Sequence, residues 1–173
     1  VSGKFIIKDE KVALENLKTD IFGGNIALAG DVSTKEATPT FNVNLNLSKL
    51  NIAEAFNQIT MLEKIAPIAK VVQGKVNTVI KVKGKLKSDL TPEINTISGD
   101  LFASLIDSKV VSEASPLLSA LDSQFTGLNL SNLNLKDLKA AVDFEDGKVK
   151  IKPFTLKYKD VAIQVAGSHG FDQ

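Results

Sequence analysis

The sequence predicts a mainly β fold: a strongly curved antiparallel sheet with two or three short helices covering part of its apolar face. Three observations carry that expectation. Apolar and polar residues alternate along most of the chain, as where Phe41, Val43, Leu45 and Leu47 interleave with Asn42, Asn44, Asn46 and Ser48. A two-residue period sends one set of side chains to each face of a sheet. Hairpin-type pairs, Gly23-Gly24 and Asp146-Gly147, punctuate the alternating runs. Helix-start signals are confined to Asn51 with Glu54, Thr60 with Glu63, and Ser115-Pro116.

Taken in order, the chain opens with a short strand, Lys4 to Lys8, and a turn at Asp9-Glu10. A strand from Val12 to Phe22 follows, and Gly23-Gly24 returns the chain into Asn25 to Ser33, where Ile26, Leu28 and Val32 share a face. A polar loop leads to the strand Thr40 to Leu47. Two short helices are expected at 52–59 and 61–72, the second kinked or split by Pro67. The long strand Lys75 to Lys87 comes next; in it Val76, Thr78, Ile80, Val82 and Leu86 alternate with Asn77, Lys81, Lys83 and Lys85. A loop through Pro92 leads to a strand from Ile94 to Ile106. A third helix starts at Ser115-Pro116 and takes its apolar side from Leu117, Leu118 and Leu121. Strands resume at 136–145, 147–158 and 161–168. Gly24-Asn25-Ile26, Gly74-Lys75-Val76 and Gly147-Lys148-Val149 each lead a strand, which suggests a repeated hairpin architecture.

Composition bounds the function classes. At 173 residues the chain is read as one domain, 1–173, large enough to bury a core. With 21 basic and 20 acidic residues the net charge is +1, so no strong field steers nucleic acid towards it. There is no cysteine, hence no disulfide and no thiolate chemistry. No apolar run is long enough to span a bilayer. No signal segment opens the chain, and its last residues read as the start of something more. The chain is therefore expected to be an excised piece of a longer protein.

An area argument turns the fold into a functional question. About nine strands at ~4.8 Å spacing, each ~33 Å long, make roughly 1,400 Å² of apolar face. Three ten-residue helices cover roughly 450 Å² of it. The remainder meets the sheet's own curl, a neighbouring domain or a ligand; water is a poor cover, because large exposed apolar patches are rare in soluble proteins.

The candidate lining of that face is Phe41, Val43, Leu45 and Leu47; Val76, Ile80, Val82 and Leu86; Val142 and Phe144; and Val161, Ile163 and Val165. Each is either dry core or a contact for acyl chains. Lys75, Lys81, Lys83, Lys85 and Lys87 take the opposite face, as a solvated surface that discourages edge pairing or as a contact for anionic head groups. His169, the only histidine, is read as a surface residue, because no cysteine or second histidine completes a zinc site. Glu145-Asp146 and Asp9-Glu10 are read as turn chemistry. The chain has no nucleophile elbow, phosphate-binding glycine loop or calcium loop, so no catalysis and no cofactor are expected.

Several segments in order resemble the C-terminal region of the AsmA-like family, large envelope proteins of Gram-negative bacteria. They are Phe22-Gly23-Gly24 through Val32, Pro39 to Leu47 with Leu50-Asn51-Ile52, and Ile65-Ala66-Pro67-Ile68-Ala69 before Gly74-Lys75-Val76. Leu90-Thr91-Pro92 through Gly99, Phe144 through Val149, and Gly167 to Gln173 complete the set. The lysine- and asparagine-rich style is similar to Bacteroidetes-type members. The resemblance implies a non-enzymatic periplasmic segment, an inner-membrane anchor outside this chain, and a role in outer-membrane assembly or lipid homeostasis. It is similar to TamB and other repeating β-groove proteins, which implies phospholipid acyl chains as the partner along an apolar groove. The alternative reading is a structural or interaction module of the envelope with a closed dry core, covered by neighbouring domains of the same chain or by a partner protein.

Overall fold

A computed structural model describes residues 1–60, 62, 70–111, 123, 133, 135–158 and 161–171. Nine strands form one antiparallel sheet in strict chain order: β1 (Ser2–Lys8), β2 (Lys11–Ile21), β3 (Gly24–Ser33), β4 (Thr40–Asn51), β5 (Val72–Lys85), β6 (Ser98–Val110), β7 (Lys139–Glu145), β8 (Lys148–Tyr158) and β9 (Val161–Gly170). β1 and β9 are its two edges and do not pair with each other, so the sheet is open.

Turn chemistry sets the registers. Asp9 and Glu10 have φ of 51° and 58°, and Asp146 and Gly147 have 50° and 69°, the pair of positive angles that suits a two-residue hairpin. The β2–β3 hairpin differs from expectation by one residue. Its positive angles fall on Phe22 and Gly23, at 51° and 66°, rather than on Gly23-Gly24. Gly24 is already strand, and a Cβ there would meet the backbone of Ser48, Lys49 and Leu50. That glycine answers a close approach between β3 and β4.

One extra residue interrupts every even-numbered strand. Pairing passes from Leu14↔Gly30 to Leu17↔Leu28 in β2, and from Leu47↔Thr78 to Leu50↔Val76 in β4. It passes from Ile106↔Lys75 to Lys109↔Gln73 in β6, and from Ile151↔Gly167 to Phe154↔Val165 in β8. Asn16, Lys49 and Asp107, inside three of these stretches, have φ of 50°, 57° and 45°. Such bulges bend their strands and raise the local twist. They also change the parity of the apolar positions: Leu14 hands over to Leu17, Leu47 to Leu50, and Ile151 to Phe154, all on one face.

Of the expected helices the structure describes one, α1 (Ile52–Gln58). Its start is the capping box read from sequence: Asn51 Oδ1 accepts from Glu54 N–H at 3.2 Å. The reciprocal bond differs, running from Asn51 Nδ2 to Glu54 Oε1 at 3.2 Å. The Asn51 backbone N–H donates instead to the Phe22 carbonyl at 2.8 Å, which ties the helix start to the β2–β3 turn. Most of the expected 61–72 helix, with Pro67, and the helix from Ser115-Pro116 lie outside the described residues. At the described end of the former, Val72 belongs to β5, three residues before the predicted strand start. The predicted strand from Ile94 begins only at Ser98, because Ile94–Thr96 is a short 3-10 helix whose Thr96 hydroxyl accepts from Lys85 N–H at 2.8 Å.

Most buried apolar residues, Ile52 and Leu86 apart, fall into three clusters. Leu47, Leu50 and Ala55 lie where α1 crosses β4, with Leu62 packed against them. Ile97, Phe144, Val149 and Phe171 close the opposite end of the strands, where the Phe144 and Phe171 rings stack with centroids 6.4 Å apart. Val71, Val110, Leu133 and Leu135 form the third. No described side chain is fully buried.

Candidate functional site

Direct cross-strand partners share a face of the sheet, so the registers trace apolar rows running across the strands. The central row is Leu17, Leu28, Leu45, Ile80, Leu101, Val142 and Ile151, each directly opposite the next. It crosses β2 to β8, and every member is partly buried. Six strand spacings of ~4.8 Å give it a length of ~29 Å. A second row runs beside it through Leu14, Gly30, Val43, Val82, Gly99, Phe144 and Val149. The rows lie between two packed ends. Leu45 and Ile80 lean on the α1 cluster, whereas Leu101, Val142 and Val82 lean on the Phe144–Phe171 cluster.

The close approach of β5 and β6 inside the second row depends on Gly99. It has φ of +142°, and a Cβ there would meet the Lys81 carbonyl and the Val82 Cα. No side chain fits, and the sheet surface is bare at that point.

The structure sorts the predicted lining residues into four groups. Val43 faces Val82 and Leu45 faces Ile80, and Leu101 joins Ile80 to Val142; these form the floor of the rows. Phe41 and Val76 are partly buried at the flanks of the floor, each packed against an end cluster. Leu47, Leu86 and Phe144 are buried at 7%, 6% and 5% exposure, and so act as walls. Leu86 lies beyond β5, in an isolated bridge to Pro92. Ile163 faces Leu156, and Val165 faces Phe154, at the β9 edge; Val161 pairs through its backbone with Tyr158. Of the central row, the predicted lining missed Leu17, Leu28, Leu101 and Ile151. The alternation around Leu101 is blurred by Phe102 and Ala103, and Ile151 sits just before a bulge.

The other face is wet. Lys75, Lys81, Lys83 and Lys85 are exposed on β5, next to Asn42 and Asn44 of β4. Lys87 lies in the loop past the strand rather than on its face. Lys11 pairs with Asp31 at 3.0 Å and Lys152 with Asp143 at 2.9 Å. Val79 and Phe102, directly opposite one another, are exposed apolar residues on this face, as is Ile6 on β1. His169 is partly buried rather than the surface residue expected, because its register partner Val149 places it at the end of the second row.

Among the described residues, Asp89 alone has a clearly displaced acidity. The Thr91 hydroxyl and backbone N–H donate to its carboxylate at 2.6 and 2.9 Å and hold its pKa below the usual range. It lies in the exposed loop after Leu86. Two shallow pockets of about 350 Å³ each sit at the β1–β3 end, one lined by Lys4, Glu15 and Asn16 and the other by Asp20 and Asn25. Neither touches the central row. Among the described residues there is no group of three or more acidic, histidine or cysteine side chains placed to hold a metal. No described helix is long and apolar enough to cross a membrane.

The chain is thus an open antiparallel meander carrying apolar rows on one face. No family model, curated protein or solved structure matches it.

Proposed function

We propose that this chain is a non-enzymatic, periplasmic segment of an AsmA-like envelope protein, and that its apolar rows shield or conduct phospholipid acyl chains. The carrying observation is the central row: seven apolar side chains, opposed one to the next across β2–β8, each of them only partly buried. The ordered resemblance of its segments to that family supports the same reading and supplies the inner-membrane anchor outside this chain. The bulges on alternate strands support a curved sheet, with the rows on its inner side.

Apolar contact would suffice for the role. A bilayer core is ~30 Å thick, so one acyl chain spans ~15 Å, about half the length of the row. Each CH₂ withdrawn from water contributes about 0.8 kcal/mol, so ten of them contribute on the order of 8 kcal/mol before ordering costs. Such contact has no preferred direction along the row, which permits sliding and gives little selection among lipids.

The test is detergent-free purification from cells, lipid extraction and mass spectrometry, followed by binding of a fluorescent acyl probe. A photo-crosslinking residue at Leu45 or Val82 should capture the lipid, whereas one at Asn44 or Lys81, on the wet face, should not. If no lipid co-purifies and the probe does not bind, the carrier role fails, and cover by a neighbouring domain or partner protein takes its place.

A further inference from the structure

The apolar rows do not account for the lysines of β5, and the fold removes one explanation for them. Lysines guard a sheet edge by discouraging strand addition. β5, however, lies inside the sheet, paired on one side with β4 and on the other with β6. Lys81, Lys83 and Lys85 are exposed at alternate positions along its wet face, ~6.6 Å apart. Directly opposite them stand Asn44, Asn42 and Thr40 on β4, and Asp100 and Ser98 on β6. A single carboxylate thus faces this strip of ammonium groups, and among the described residues none of the three lysines is in an ion pair. Elsewhere in the sheet, lysines are neutralised, Lys11 by Asp31 and Lys152 by Asp143.

Val79 precedes Lys81 on the same face of β5, and Phe102 stands opposite Val79; they are 39% and 46% exposed. An apolar pair beside unneutralised lysines sets two requirements. The lysines call for anions, and the apolar pair calls for a medium of low polarity within reach of those anions. A polyphosphate or nucleic-acid backbone meets only the first, and a lone ring is a poor platform for successive bases. The surface of an anionic bilayer meets both. We propose that this patch docks the chain on an anionic phospholipid bilayer, with Lys81, Lys83 and Lys85 among the phosphates and Phe102 with Val79 at the boundary between head groups and acyl chains. Apolar and aromatic side chains beside lysines are the usual makeup of a surface that lies at that boundary.

Each lysine near an anionic leaflet strengthens association about fivefold, the equivalent of ~1 kcal/mol. The three together supply about a hundredfold, offset in part by Asp100. The contact is therefore reversible, rises with the anionic lipid fraction and weakens with salt, whose screening length falls from ~10 Å at 0.1 M to ~3 Å at 1 M. It uses the face opposite the apolar rows and holds whether or not these carry acyl chains.

The test is flotation of the whole chain with vesicles of phosphatidylcholine alone and of equal parts phosphatidylcholine and phosphatidylglycerol. The chain should float with the anionic vesicles only, and added salt should release it. Lys81→Gln, Lys83→Gln and Lys85→Gln should each weaken binding about fivefold, and the triple variant about a hundredfold. Lys4→Gln on β1, outside the patch, should leave binding unchanged. The chain has no tryptophan, so Phe102→Trp is a single reporter whose emission should shift to the blue on anionic vesicles. Far-ultraviolet circular dichroism confirms that each variant folds, and binding of the fluorescent acyl probe should be the same in all of them. Equal flotation with neutral vesicles would assign the contact to the apolar rows and overturn the proposal, as would a triple variant that floats like the parent chain. An unshifted Phe102→Trp emission overturns it too; if inorganic polyphosphate then binds as tightly as the vesicles, the patch belongs to a soluble polyanion.

Discussion

β1–β2 and β4–β7 obey the same alternation and belong to one continuous register, yet they are covered very differently. Phe5 and Ile7 on the apolar face of β1 are 66% and 80% exposed, whereas Phe144, in the row that continues from Phe5 through Leu14 and Val43, is 5% exposed. The difference is not in the strands. α1, the Ile94–Thr96 helix and Phe171 all lie over the β4–β8 part of the sheet, and no described element lies over β1. Periodicity therefore assigns a side chain to a face; burial is decided by what packs on that face, which local pattern does not encode.

This contrast can be broken by substitution. Phe144→Ala should cost about 3–5 kcal/mol, because it empties the stacked cluster with Phe171, whereas Phe5→Ala should stay within about 0.5 kcal/mol. Urea unfolding of both variants measures the difference, and equal losses would show that β1 is as well packed as β7. Gly99→Ala should cost about 2 kcal/mol through its strained backbone angle and the clash with Lys81, read as a lowered denaturation midpoint without a change in slope. Removing the α1 cap by Asn51→Ala should cost about 1 kcal/mol, with Asn51→Asp largely spared. That pair tests whether helix cover is what separates the two regions.

The smallest effect concerns Asp89. Its folded pKa lies below the ordinary aspartate value of 3.8, so the stability it contributes is present above that value and is lost as pH falls through the folded pKa. A carboxyl-detected NMR titration should place its midpoint low, and Thr91→Val should return it towards 3.8 by removing the hydroxyl donor. A midpoint unmoved by Thr91→Val would assign the shift to other groups.

Much of the sheet was legible because alternation is a strong signal in strands such as β4 and β5. The bulges were not read from the sequence, although the jumps from Leu14 to Leu17, Leu47 to Leu50 and Ile151 to Phe154 are changes of phase in the apolar pattern. The misread turn at Phe22-Gly23 has a physical reason. Two adjacent glycines fit the positive angles equally well, and only the approach of Ser48 and Lys49 in space decides that Gly24 is strand. The β-prone neighbours of Ile94 suggest a strand, but backbone bonds from Thr96 to the Glu93 carbonyl and from Ile97 to the Ile94 carbonyl close a helical turn there, and the Thr96 hydroxyl takes up Lys85 N–H. For the candidate site, Val43, Leu45, Ile80, Val82 and Val142 could be named from sequence as one surface. That Leu47, Leu86 and Phe144 are walls rather than floor could not, because it depends on α1, Pro92 and Phe171 arriving from elsewhere in the chain.

Chain order and strand order coincide from β1 to β9. A ribosome would therefore release this sheet ready to assemble row by row, each new hairpin docking on the strand made just before it, with little entropy spent on closing long loops. Among these nine strands the growing margin at each stage of synthesis is the strand made last. Adding or losing a hairpin at the growing margin would change the length of the apolar rows without disturbing any earlier pairing, so the width of such a sheet is an easily varied trait.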